Sequence, residues 1–151
     1  RHPVAIDVHQ TEQTFVQDRR IEVRHHQARG RTTEAFDVME TIIQANPDIK
    51  GFFGANEGSA IGVLNAVQES GKAGEIVVIG YDSGKQQIDA IKSGVMAGAI
   101  TQDPIGIGYK CVEAAVKAIK GETLPKTIDT GFLWYDKTNI DSEKIKPLLY
   151  E

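Results

Sequence analysis

The sequence predicts an α/β domain, a doubly wound parallel sheet with flanking helices. Two observations carry that prediction. Ile76 to Ile79 are four consecutive β-branched aliphatics without polar alternation, the pattern of a strand covered on both faces. From Thr33 onward, short extended runs alternate with amphipathic runs across brief connections, and parallel neighbours require such crossover helices.

Taken in order, Val4 to Val8 is apolar at 4, 6 and 8 after Pro3 and reads as a short strand. Thr11 to Arg20 reads as a helix, and Arg20 to Arg24, around Ile21 and Val23, as a second strand. Thr33 to Ala45 places Ala35, Val38, Met39, Ile42 and Ile43 on one helical face, and Asn46-Pro47-Asp48 stops it. Ile49 to Ala55 is extended. Gly58 to Ser70 is a helix with Ile61, Leu64, Ala66 and Val67 inward and Gly71 as terminator. The central strand ends at Gly80, and a helix over Gln86 to Ser93 closes at Gly94. Val95 to Thr101 is the next strand. Ile105 to Lys120 is a helix with Ile105, Tyr109, Val112, Val116 and Ile119 on its apolar face, closed by Gly121 and Pro125. Ile128 to Tyr135 is extended, and a polar Asp-Lys-Thr-Asn turn follows.

A chain of 151 residues suits one domain with a real core. Its net charge of −4 and lack of a basic stretch argue against a nucleic-acid partner. The single cysteine, Cys111, excludes an internal disulfide and a cysteine zinc site, and is expected to be an ordinary core residue. No apolar run approaches the roughly 20 residues of a membrane span. The chain starts at Arg1 without a charged-then-apolar leader, so an export signal is expected to have been removed or never to have belonged to this stretch. All six arginines and all four histidines lie in residues 1–31, whereas all eleven lysines lie at or after Lys50. That partition suggests that residues 1–32 are an atypical segment of separate origin, from truncation, fusion or a frame shift.

Three polar residues stand just past three strands: Asn56, Asp82 and Gln102. In open parallel sheets the carboxyl ends of the strands are where ligands bind. A carboxylate accepts two hydroxyl protons at once, and each amide offers one donor end and one acceptor end, so the set suits a neutral polyol. The alternative is that Asn56 and Asp82 merely cap the helices from Gly58 and from Lys85. Phe52 and Phe53 should each meet the helices of one sheet face, while Tyr81 and Trp134 are candidates for contacting a ligand or a neighbouring lobe.

Other chemistry fails on spacing. Gly80 to Lys85 is one residue short of a phosphate-binding loop and has Gln86 where Ser or Thr should bind magnesium. Gly106-Ile107-Gly108 lacks the third glycine of a dinucleotide fingerprint. Ser59 lacks the flanking glycines of a nucleophile elbow. Asp82 as a phospho-acceptor would need an acidic pair near the first strand, and none is there. No enzyme, cofactor or metal is expected.

Several stretches resemble a known family. Asn46-Pro47-Asp48-Ile49-Lys50-Gly51-Phe52-Phe53-Gly54-Ala55-Asn56-Glu57, then Ile76 to Asp82, Ile88 to Gly94 and Ala99 to Pro104, occur in register. They resemble the carboxy-terminal half of the ribose-binding type of periplasmic sugar-binding proteins. The resemblance covers roughly Thr33 to the end. It implies one lobe of a periplasmic-binding-protein type I fold, residues 33–151, with sugar contacts at Asn56, Asp82 and Gln102. It also implies a monosaccharide ligand, the membrane permease of an ABC transporter as partner, and a periplasmic location, or a lipid-anchored extracellular one in a Gram-positive source. Residues 1–32 depart from it: Arg31-Thr32 replace the family's Asp-Arg, and Gly30 stands where an aromatic can stack on sugar.

In that family the chain crosses to the other lobe after Gln102, so Ile105 to Lys120 would pack there. Here that helix is expected to cover its own sheet or to dock on another copy, giving a homodimer. The alternative function is the effector-binding core of a lactose-repressor-type regulator, which shares the fold. Ile91 to Gly98 follows the transporter pattern rather than the regulators' proline-rich one.

Overall fold

Four helices and six strands alternate through the described residues, which in the computed structural model are 4–7, 22–25 and 31–150. The strands are β1 (Val4–Asp7), β2 (Glu22–His25), β3 (Gly51–Phe53), β4 (Val77–Tyr81), β5 (Gly98–Gln102) and β6 (Phe132–Tyr135). They form one sheet in the order β2-β1-β3-β4-β5-β6, parallel except for β6, which runs antiparallel to β5. The helices are α1 (Thr32–Ala45), α2 (Glu57–Glu69), α3 (Lys85–Ser93) and α4 (Pro104–Ile119), and a 3-10 turn covers Lys146–Leu148. The helix expected over Thr11 to Arg20 lies outside the described residues.

Among the described residues the core lies on one face of the sheet. Phe52, Val78, Ala99 and Tyr135 point into it, against Ala35, Met39 and Ile42 of α1, Val63, Leu64 and Val67 of α2, and Ile88 and Ile91 of α3. Each Val, Leu, Ile, Phe or Met side chain among them stabilises the fold by about 1.5–3 kcal/mol through removal from water. The inward face of α2 is set by Val63 rather than Ile61, which is only partly buried. Val38 is partly buried and packs against the same core.

The expectation that the central strand is covered on both faces is not met. Val78 and Gly80 are buried, but Val77 is 51% exposed and Ile79 and Tyr81 are intermediate. The register places Val77, Ile79, Tyr81, Ile100, Phe132 and Trp134 on the same face, away from the core helices. Phe53, expected to meet helices on that side, is intermediate as well.

β5 begins at Gly98 rather than Val95. The amides of Val95 and Met96 both donate to Ala90 O, at 2.9 and 3.1 Å, and so complete the end of α3 after Gly94, whose φ is +84°. Gly98 then lies under the indole of Trp134, and a side chain there would overlap the ring.

α4 overturns two expectations. It has no buried residue, so it does not cover its own sheet. Ile105, Tyr109, Val112, Val116 and Ile119 form a stripe whose members are 44–87% exposed. Cys111 is exposed rather than a core residue, because the helix that carries it leaves the core. Among the described residues no helix is long and apolar enough to cross a membrane.

Candidate functional site

Phe53 pairs with Ile79, and Tyr81 with Ile100, so β3, β4 and β5 end along one edge of the sheet. Asn56, Asp82 and Gln102 are therefore delivered to that edge from three neighbouring strands. Asn56 is the N-cap of α2, and its Oδ1 accepts the Ser59 N–H at 2.9 Å. The capping alternative describes this side chain correctly.

Asp82 does not cap the helix that follows it. Gly84 is the N-cap of α3, without a side-chain cap bond. Instead Asp82 Oδ2 accepts the backbone N–H of Glu57 at 3.1 Å, so the carboxylate caps the neighbouring helix α2. Its backbone is left-handed, φ +72°, the one positive φ on a non-glycine among the described residues. That conformation costs most residues with a Cβ roughly 1–2 kcal/mol, aspartate less than most, and persists where the surroundings over-determine it. The tethers are present: Asp82 N donates to Ile100 O at 2.7 Å, and Asp82 O accepts the Tyr135 hydroxyl at 2.7 Å.

The electrostatics follow from this seating. Burial raises the pKa of Asp82, the N–H of Glu57 opposes the rise, and the Glu57 charge nearby adds to it. Glu57 Oε2 accepts the Tyr150 hydroxyl at 2.8 Å. Burial, helped by that bond, pushes the Tyr150 phenol up to about 12. Burial also raises Tyr135, so both phenols stay neutral donors at physiological pH.

The chain's last residues are latched beneath the same edge. The Thr101 hydroxyl lies 3.0 Å from Ser83 Oγ, which donates to Leu148 O at 3.1 Å, and the Tyr150 amide reaches Ser83 O at 3.4 Å. Gln102 opens onto a cavity of about 310 Å³ shared with Asp103, Thr130, Phe132, Lys144 and Leu148. A larger hollow of about 370 Å³ lies between the C-terminal ends of α1 and α2, near Pro47 and Lys72, at the opposite end of the strands.

Tyr81 and Trp134 lie on the open face of the sheet in one row with Ile100. The Trp134 indole N–H donates to Asp136 Oδ2 at 2.7 Å. Among the described residues no group of three His, Cys, Asp or Glu could hold a metal ion. The edge offers a partly desolvated carboxylate between two amides, an arrangement that can accept and donate to vicinal hydroxyls. Sequence reasoning missed Glu57, Tyr135, Tyr150, Ser83 and Thr101. Glu57, adjacent to Asn56, could have been found from its place at a helix N-terminus; the others depend on where the C-terminal segment folds back.

Comparison with known proteins places this geometry. The chain is 40% identical over 90 residues to the ribose import binding protein RbsB of Salmonella typhimurium, a stretch that is 60% of this chain and 30% of that protein. An ABC transporter solute-binding protein from Agrobacterium vitis, solved with bound α-D-tagatopyranose, superposes with a TM-score of 0.89 at 28% identity. That match covers 99% of this chain and 55% of the other. A protein from Brachyspira murdochii described as "ABC transporter, LacI family transcriptional regulator" gives 0.81 at 30% identity, covering 99% of this chain and 56% of that one. The chain thus spans little more than half the length of these solved neighbours. The family described as periplasmic binding protein domain matches residues 10–123. With the parallel sheet, its antiparallel edge strand and the polar strand ends in place, the chain belongs to the periplasmic binding protein domain family.

Proposed function

We propose that this chain is the carboxy-terminal lobe of a periplasmic or extracellular solute-binding protein. It takes a monosaccharide, a pentose or hexose, and presents it to the permease of an ABC transporter. The observation that carries the reading is Asp82, a partly buried carboxylate fixed at the carboxyl edge of a parallel sheet between the strands that deliver Asn56 and Gln102. The relatives named for ribose import and solved with tagatose support the ligand class. The protein is a binder and not an enzyme, uses no cofactor and takes no nucleic acid.

On this reading residues 33–151 form the body of the lobe, and residues 1–32, for which a separate origin is proposed, add β1 and β2 to its sheet. The bare stripe of α4 is the surface on which a second lobe of the same fold docks, whether from a longer chain or from a second copy as a homodimer. Such docking closes the sugar away from water, which half a site does poorly.

Calorimetry against a panel of pentoses and hexoses, with Asp82→Ala as control, tests the assignment. A saturable heat for at least one sugar, lost in the variant, is expected; equal heats for both proteins would discard the site. A second reading, the effector-binding core of a lactose-repressor-type regulator, rests on the neighbour from Brachyspira murdochii. Ile91 to Gly98 lacks the proline-rich segment of such regulators. Sugar-dependent release of an operator DNA by the complete protein would decide for that reading.

A further inference from the structure

We propose that Tyr135 is a positioning residue for the ligand carboxylate: from the antiparallel edge strand its hydroxyl holds the Asp82 main chain in the left-handed conformation that aims the side chain along the sheet edge. The inference rests on the sugar-binding reading of Asp82 for its functional consequence, though not for its geometry.

Asp82 is held at three points. Its N–H is bound by Ile100 O at 2.7 Å and its Oδ2 by the Glu57 N–H at 3.1 Å. Its carbonyl is bound by Tyr135 Oη at 2.7 Å. The first two donors and acceptors on the protein side are backbone groups. Tyr135 is the tether that a side chain supplies, and so the one that evolution or mutation can alter without moving a strand.

Tyr135 is built for that contact. It is fully buried and lies on β6, two strands away from β4, so the ring must pass across β5 to reach residue 82. Its cross-strand partner on β5 is Ala99, whose methyl leaves that width free. A buried phenol requires an acceptor, and this one has found the carbonyl of the residue whose backbone is under strain. The titratable groups that face Asp82 are Glu57 from α2, Tyr150 from the tail and Tyr135 from β6. Both phenols stay protonated, so the restraint does not switch with pH in the physiological range.

The test is Tyr135→Phe, which keeps the ring and removes the donor. Two readouts are taken on the 151-residue chain: the NMR titration of the Asp82 carboxyl carbon together with its amide–Hα coupling, and calorimetry with D-ribose. With the tether gone, the coupling of residue 82 changes, its titration moves from the raised value toward the ordinary aspartate range, and D-ribose binds at least about tenfold more weakly. An unchanged titration and coupling in Tyr135→Phe would overturn the proposal. If Tyr135→Phe does not fold, Asp82→Gly is added, because glycine adopts a positive φ unaided. Because Asp82→Gly also removes the cap on α2, the double variant is compared with Asp82→Gly alone: equal stability supports the positioning role, and a further loss of stability overturns it. Should the wild-type chain bind no D-ribose, the sugar assignment loses support while the titration still decides the role of Tyr135.

Discussion

The backbone N–H of Glu57 donates to Asp82 Oδ2 across 3.1 Å, which makes the carboxylate proposed to receive sugar also the cap of the helix next door. One side chain thereby joins the ends of β3 and β4, since Glu57 opens the helix that follows β3 and Asp82 follows β4 directly. On the proposed reading, stability and ligand recognition are coupled at this atom.

Substitutions of Asp82 should separate the two roles. Asn keeps an oxygen for the Glu57 N–H and tolerates a left-handed backbone, whereas Ala keeps neither advantage. Asp82→Ala is expected to be less stable than Asp82→Asn by about 1–2 kcal/mol in urea denaturation. Equal stability of the two variants would mean that the bond to Glu57 contributes nothing.

The dependence on pH has a definite sign. Burial raises the folded-state pKa of Asp82 above the ordinary 3.8, so the folded chain holds a proton that the unfolded chain has already released. Ionising Asp82 therefore costs stability as pH rises through the window between 3.8 and the folded value. That cost is complete above the window and absent below it. Asp82→Asn should gain on the wild type when melts at neutral pH are compared with melts below the ordinary aspartate range. If Asp82 receives the sugar as proposed, binding needs its ionised form, and the acid limit of binding should lie above the ordinary aspartate value.

The stripe on α4 yields a test of docking. Ile105, Tyr109, Val112, Val116 and Ile119 touch no core, so charged substitutions there should leave the melt within about 0.5 kcal/mol of wild type. The double variant Tyr109→Asp, Val112→Asp should nevertheless abolish self-association of the isolated chain in light scattering and reduce its binding of a hydrophobic dye. A wild-type chain that stays monomeric at high concentration without dye binding would remove the docking surface.

The sequence was legible where one segment sufficed to state the pattern. Asn46-Pro47, Gly71 and Gly94 mark helix ends that the structure keeps, and the apolar face of α1 is that of its periodicity. Asn56, Asp82 and Gln102 stood out because each stands at or just past the carboxyl end of a strand of the same sheet. What could not be read is what depends on absent or distant neighbours. Ile76 to Ile79 has the composition of a strand with two covered faces, yet Val77 is 51% exposed and Ile79 only partly buried on the face away from the core helices. Cys111 followed the same error. The antiparallel direction of β6 and the return of Tyr135 and Tyr150 to Asp82 and Glu57 arise from chain separations of 53 and 93 residues, for which no local pattern gives a signal.

The tail latch makes a prediction about non-additivity. A hydroxyl has one proton to donate, and Thr101 gives its own toward Ser83 while Ser83 donates to Leu148 O at 3.1 Å. Thr101 Oγ1 also stands 3.1 Å from Gln102 O and 3.4 Å from Leu148 O, so loss of Ser83 leaves the Thr101 hydroxyl both carbonyls to turn to, Leu148 O among them. Loss of Thr101 likewise leaves the bond from Ser83 intact. Ser83→Ala and Thr101→Val should therefore each cost only about 1 kcal/mol. The double variant strands the Leu148 carbonyl and should cost more than the two together, with faster hydrogen exchange at the Tyr150 amide. Strict additivity in urea denaturation, with the Tyr150 amide unchanged, would show that these hydroxyls do not act as one relay and that the tail is held by something else.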